Sequence, residues 1–152
     1  MSDANAGEVL SAPHVLEYDY RRSVGPILGR FFSELCEGKI VGSKTAGGRV
    51  LVPPMEYDPE TGKAVEEIVD VGPGGVVETW AWVNQPLRTH PLDRPFAFAL
   101  IRLDGADTSL LHAVDTGDEG DMSTGMRVTP RFAAEPKGSI LDIECFEPEV
   151  SR

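Results

Sequence analysis

Apolar residues recur at three- and four-residue spacing in one clear place along this chain. Ile27, Leu28, Phe31, Phe32 and Leu35 form that pattern. It predicts an amphipathic helix over residues 23–37, with Ser23 as its cap, Pro26 in its first turn and Gly38 as its stop. Two adjacent phenylalanines allow two readings, a helix packed on its own domain or a helix facing a partner. Phe31, Phe32 and Leu35 are therefore candidate partner contacts. Beyond Gly38 the pattern changes to short β-prone runs. Lys39 to Ser43 and Arg49 to Pro53 flank the turn Thr45-Ala46-Gly47-Gly48 and read as a hairpin, and Tyr57 to Gly62 reads as a second turn. Six further runs follow, separated by Gly, Pro and Asp: Val65 to Val71, Val76 to Val83, Phe96 to Leu103, Ser109 to Asp115, Met126 to Ala133 and Ile140 to Phe146. No strong second helical period interrupts them, so the expected class is mainly β: an N-terminal helix, a small hairpin, then a five-stranded OB-like barrel. Phe96 to Leu103 is apolar on both faces and is expected to be central. The implied division is a tail over 1–17, a helix-and-hairpin segment over 18–63 and a barrel over 64–152.

Charge narrows the functional classes. The chain has 152 residues, with 14 Lys and Arg against 25 Asp and Glu, a formal charge of −11. Residues 64–152 carry 7 basic and 16 acidic side chains, net −9, whereas 21–63 carry 7 basic and 5 acidic, net +2. The barrel half therefore lacks the positive groove that single-stranded nucleic acid requires. No apolar run approaches the roughly 20 residues of a membrane span. The first twenty residues also lack the basic start and apolar stretch of a secretory signal, so a cytoplasmic location is expected. Cys36 and Cys145 are far apart and without CxxC spacing, as expected of buried free thiols.

Motifs with autonomous chemistry are missing from the sequence. Gly38-Lys39-Ile40-Val41-Gly42-Ser43-Lys44-Thr45 departs from phosphate-loop spacing, Gly72-Pro73-Gly74-Gly75 is followed by no helix pattern, and there is no Gly-x-Ser-x-Gly elbow. His14, His90 and His112 form no local metal motif. The acidic run Asp115 to Asp121 lacks the order of a calcium loop. His90 is the most suggestive of the three histidines, lying between Arg88 and Arg94 in a Pro-rich loop. Together with Lys39, Lys44 and Arg49, these residues are the candidate contacts for an anionic ligand or a partner. Trp80 and Trp82 are expected to be core residues or interface anchors, and are candidate partner contacts.

The succession of Phe31-Phe32, Gly38-Lys39-Ile40, Gly48-Arg49-Val50-Leu51-Val52-Pro53-Pro54, a Trp-bearing strand, Phe96 to Asp104 and Gly125-Met126-Arg127-Val128 resembles the DUF35 family over roughly residues 18–134. The resemblance implies a helical segment and a rubredoxin-like zinc ribbon ahead of an OB-fold. In the family, two CxxC pairs flank the Gly-Arg-Val stretch; the corresponding positions here are Lys44, Gly47, Asp58 and Thr61. None supplies a thiolate, so the expectation is a ribbon without metal, and no cofactor. The resemblance further implies a non-catalytic accessory subunit for a thiolase-, aldolase- or MaoC-hydratase-like enzyme in acyl-CoA metabolism of lipids or steroid side chains, assisting acyl-CoA binding or transfer. Two alternatives stand beside it. One is a stand-alone acyl-CoA or lipid-binding OB-fold module using the face around Trp80, Trp82 and Phe96. The other, disfavoured by charge, is a single-strand nucleic-acid binder.

Overall fold

A computed structural model describes residues 11–18 and 23–150. Among them lie one helix, α1 (Pro26–Cys36), and eight strands: β1 (Ile40–Lys44), β2 (Val50–Leu51), β3 (Glu67–Val71), β4 (Gly75–Val83), β5 (Phe96–Leu103), β6 (Leu110–Val114), β7 (Arg127–Phe132) and β8 (Ile143–Pro148). Helix α1 starts later than the sequence suggests. Gly25 is its cap and Pro26 its first residue, with no side-chain cap from within the segment. The missing acceptor comes from across the fold, where Glu56 Oε1 accepts the Leu28 N–H at 3.0 Å. A carboxylate at this end also favours the helix dipole, and Gly25 leaves room for it, because a Cβ there would lie 2.3 Å from Glu56 Oε1. At the other end Gly38 adopts φ 70°. Its N–H donates to the Leu35 carbonyl and the Lys39 N–H to the Glu34 carbonyl, both at 3.0 Å, the two bonds of a Schellman stop.

The strands form two sheets. The first has the order β2-β1-β3 and is antiparallel throughout. The second is a closed barrel of order β4-β5-β6-β8-β7, the five-stranded closure of an OB-fold. The sequence reading placed residues 65–71 in the barrel, but β3 instead pairs with β1, Ile40 opposite Val71 and Lys44 opposite Glu67. Alternation alone does not reveal which edge a strand will join, and here the exposed edge of β1 takes it. The barrel proper begins at Gly75. Residues 140–142 are likewise a 3₁₀ turn rather than strand, with Ser139 and Asp142 forming a capping box.

Strand β5 is central, paired with β4 on one side and β6 on the other. Ala97, Ala99, Ile101 and Leu103 point into the barrel core, whereas Leu100 and Arg102 face outward. Strand β4 has a register break between Val77 and Thr79, which leaves Glu78 on the outside against Arg102 Nε at 3.1 Å. Such a bulge increases local twist and helps a strand curl into closure. One apolar cluster runs from Phe31 and Leu35 of α1 through Ile40, Val41 and Val71 into Val77, Ile101 and Phe146 of the barrel. Helix, small sheet and barrel therefore share a core.

Candidate functional site

The outward face of β5 and β6 is the part of the barrel where apolar side chains remain uncovered. Leu100 and Leu111 are opposite one another in the ladder, as are Phe98 and Ala113. Leu111 is 60% exposed, as expected for an outward position in a strand whose other members, Leu110 and His112 to Val114, are buried. Two loops wall this face. One is residues 84–95 between β4 and β5, and the other is 133–142 between β7 and β8. Between them lies a cleft of about 490 Å³ lined by Arg88, Thr89, His90, Pro91, Phe98, Leu111, His112, Ala113, Ile140, Leu141 and Glu144.

Each wall is held by specific contacts. In the first, His90 Nδ1 accepts the Leu87 N–H at 3.2 Å, and its ring meets Phe96 and Phe98 edge-on, with centroids 5.8 and 5.7 Å away. Arg94 pairs with Asp115, tying the loop to the end of β6. In the second, the buried Asp142 accepts backbone N–H bonds from Lys137 and Gly138, both at 2.8 Å, and from Ser139 at 3.3 Å. These backbone donors hold its carboxyl below the usual carboxylate range. Cys36 Sγ of α1 also donates to it, at 3.6 Å, so the helix is linked to the turn that presents Ile140 and Leu141. His112 closes the floor. It is 6% exposed and stands edge-on to Phe146 at 5.6 Å. Its Nδ1 has no hydrogen-bond partner, and burial depresses its pKa, outweighing the nearby Ile140 and Ala113 carbonyls.

Of the anion-contact candidates, Arg88 and His90 meet at this cleft. Arg94 borders an adjoining hollow that shares Arg88, His90, Pro91 and Glu144. Lys39, Lys44 and Arg49 lie away from it, in the helix-and-sheet segment. Lys44 is engaged by Glu67 at 3.3 Å and Arg49 by Glu60, while Lys39 borders a separate hollow beside Val71 and Pro73. The expected partner contacts need correction. Phe31 and Leu35 are each 1% exposed and belong to the core, while Phe32, the third candidate, is half-buried. Trp80 and Trp82, expected in the core or at an interface, lie opposite Ala99 and Ala97 on the core side of the ladder and pack partly against the core. Sequence reasoning missed Leu111, Ile140 and Leu141. The Leu110-Leu111 pair, one apolar residue more than an alternating strand needs, was the signal for the first.

Two sets of residues carry potential metal donors, and their surroundings occupy both. Asp115, Cys145 and Glu147 bring ligand atoms within 4.8 Å of one another. However, Arg131 contacts both carboxylates and Arg94 pairs with Asp115, and burial pushes the Cys145 thiol up to about 12. That arrangement is an ion-pair network over a protonated thiol. The four ribbon positions do not fit zinc either. Lys44 is an ion-paired ammonium, Gly47 has no side chain, Thr61 is a neutral hydroxyl, and Asp58 Oδ1 already accepts the Glu60 N–H at 2.8 Å. The two turns are instead closed by polar contacts. Thr45 Oγ1 accepts the Arg49 N–H at 3.2 Å, and the Arg49–Glu60 pair bridges one turn to the other.

Residues 68–133 match the family model described as ChsH2, C-terminal OB-fold domain. The barrel has the OB-fold that this model describes. Among solved structures, the chain is similar to a DUF35-family protein of unknown function from Sulfolobus solfataricus. The two are 26% identical over 70% of this chain and 78% of that one, with a TM-score of 0.57. It is also similar in fold to a chain of the Ltp2-ChsH2(DUF35) aldolase, at 19% identity over 86% of this chain and all of that one, with a TM-score of 0.64. No curated protein matches. The cleft lies on the strand 2–3 face of this OB-fold, between the first and last barrel loops, where OB-folds in general hold their ligands.

Proposed function

We propose that the chain is a non-catalytic accessory subunit of an aldolase- or thiolase-type enzyme in acyl-CoA metabolism, and that its β5–β6 face serves the complex. The observation that carries this reading is the uncovered apolar cleft on the ligand face of a DUF35 OB-fold. Its similarity in fold to a chain of an Ltp2-ChsH2(DUF35) aldolase supports an aldolase-type partner. A MaoC-hydratase-like partner is the variant of the same reading. Chemistry within the cleft is sparse: a neutral buried imidazole, a second imidazole whose Nδ1 is occupied, and a carboxylate, Glu144, held by Arg131. No nucleophile stands beside a base among these residues, which suits a supporting rather than a catalytic role. Arg88 is the cleft's lone arginine, too little for a nucleic-acid track. A cytoplasmic setting and a ribbon that stands without zinc complete the proposal.

The test is co-purification of the tagged full-length chain from its native extract. Recovery of a stoichiometric thiolase-fold or hydratase enzyme, whose activity falls when the chain is removed, is expected. Recovery of the chain alone, with no effect on any such enzyme encoded beside it, refutes the reading.

A further inference from the structure

The barrel ladder is open along one seam. Strand β6 pairs with β5 from Leu110 to Val114, but on its other side it meets β8 at a single bridge, Val114 to Phe146. Beside that bridge the Asp115 N–H donates to the Phe146 carbonyl, so Asp115 turns its backbone toward β8. Hydrogen-bonding groups alternate sides along a strand, and Ala113 and Leu111 therefore face the same way. Among the described residues, the Leu111 N–H and C=O have no ladder partner there. The cleft lies over this open edge, with Leu111 and Ala113 on one side and Ile140, Leu141 and Glu144 on the other. An unpaired edge beside exposed leucines is a template for an added strand.

A second segment has the matching need. Residues 11–18 are exposed throughout, with Val15, Leu16 and Tyr18 at 70%, 67% and 83%, and among the described residues no backbone hydrogen bond ties them to the rest of the fold. Apolar side chains so fully in water mark a surface that gains by being covered. After Pro13, which has no N–H, every residue from His14 to Tyr18 keeps its backbone donor. Charge agrees with the pairing. The acid of this segment is Glu17, while the cleft carries Arg88 and its own acid, Glu144, is held by Arg131 at 2.9 Å.

We propose that two copies of this chain associate by exchanging these segments. Residues 14–18 of each copy extend along the open β6 edge of the other, with their apolar side chains on Leu111 and Leu141 and Glu17 on Arg88. The exchange is reciprocal, as a two-fold dimer requires. It concerns the free chain and does not rest on the enzyme partner proposed above.

The experiment is sedimentation velocity of the full-length chain over a concentration series, followed by a mixing experiment read by amide NMR. The parent is expected to pass from monomer to dimer as concentration rises. Leu16→Asp alters only the segment and Leu111→Asp only the cleft, both at exposed positions. Each should weaken self-association by on the order of tenfold or more, because a carboxylate replaces a side chain that the dimer buries. Arg88→Gln should weaken it severalfold. Mixing the two aspartate variants restores one of the two contacts. Unlabelled Leu111→Asp protein added to labelled Leu16→Asp protein should shift the amides of Leu111, Ala113 and Leu141, whereas unlabelled Leu16→Asp protein should not, a pattern that misfolding does not produce. A monomer at every concentration overturns the proposal, as does a dimer that both aspartate variants leave intact. Cleft amides that differ between the parent and Leu16→Asp monomers without concentration dependence would put the segment in its own cleft, which equally overturns the exchange. A chain that stays monomeric yet binds an enzyme partner would remove this proposal alone, and a dimer that binds no enzyme would remove the accessory-subunit reading alone.

Discussion

Truncating Phe31 to alanine separates a core role for α1 from a partner-facing one. The ring is 1% exposed within the cluster that joins the helix, the small sheet and the barrel, with Phe32 at a centroid distance of 5.6 Å. Removing a buried phenylalanine ring costs about 3–5 kcal/mol, because transfer and cavity terms add. That is a large share of the roughly 5–15 kcal/mol that holds an ordinary domain together. For a chain of this length, each kcal/mol corresponds to about 2–4 °C in Tm. The expected fall is therefore about 6–20 °C. The contrasting variant is Leu111→Ala, at a position 60% exposed, where the change should stay within about 0.5 kcal/mol. Urea and thermal unfolding of the full-length protein, followed by far-UV circular dichroism, measures both. Phe31→Ala should lower the denaturant midpoint with an unchanged slope. A Phe31→Ala protein within about 1 kcal/mol of the parent that nevertheless lost the proposed enzyme partner would refute the reasoning, because the ring would then be a surface contact.

Two further predictions concern ionisation and metal. Burial lowers the pKa of His112 below its ordinary 6.5, so below that pH the unfolded chain binds the extra proton and the folded one resists it. Stability contributed by the neutral ring is complete above about pH 6.5 and declines as the pH falls through the window down to the depressed folded value. His112→Gln should flatten the fall of Tm measured between pH 7.5 and 5, and an unchanged slope would show that other groups control it. The ribbon turns should resist chelation, with Tm the same in excess EDTA and no zinc detected by plasma emission. Asp58→Ala should lower Tm by removing the acceptor for the Glu60 N–H, while Asp58→Asn, which keeps an acceptor oxygen, should lower it less. One zinc per chain that survives chelator would refute this account of the turns.

Where local chemistry decided the structure, the sequence was readable. The 3,4-spacing of Ile27, Phe31 and Leu35 gave the helix and its buried stripe, Gly38 ended it, and the two-sided apolar run Phe96–Leu103 became the central barrel strand. Readability failed where distant segments choose between equivalent options. Ser23 has the chemistry of a cap, but Glu56, remote in sequence, supplies the acceptor. Residues 65–71 are a β-prone run like those of the barrel, yet residues 67–71 pair with the free edge of β1. Trp80 and Trp82 read by residue type as either core or interface residues, and only their pairing with Ala99 and Ala97 puts them on the core side of the ladder.

The cleft is the extreme case of this limit. Its walls come from residues 88–91, 98, 111–113 and 140–144, segments that share no motif and become neighbours only when the barrel closes. Closure between β6 and β8 is a single parallel bridge, Val114 to Phe146, with the Asp115 N–H donating to the Phe146 carbonyl at 2.8 Å beside it. The Asp142 carboxylate and the Cys36 thiol then fix the turn carrying Leu141 from the opposite side. The position of that wall thus depends on helix α1, which contributes no residue to the cleft itself. The helix suspected of meeting a partner acts on the candidate site from within the core. Damage to its packing should loosen the 137–142 turn before it alters the β5–β6 ladder, an order that amide exchange on the Phe31→Ala protein would read directly.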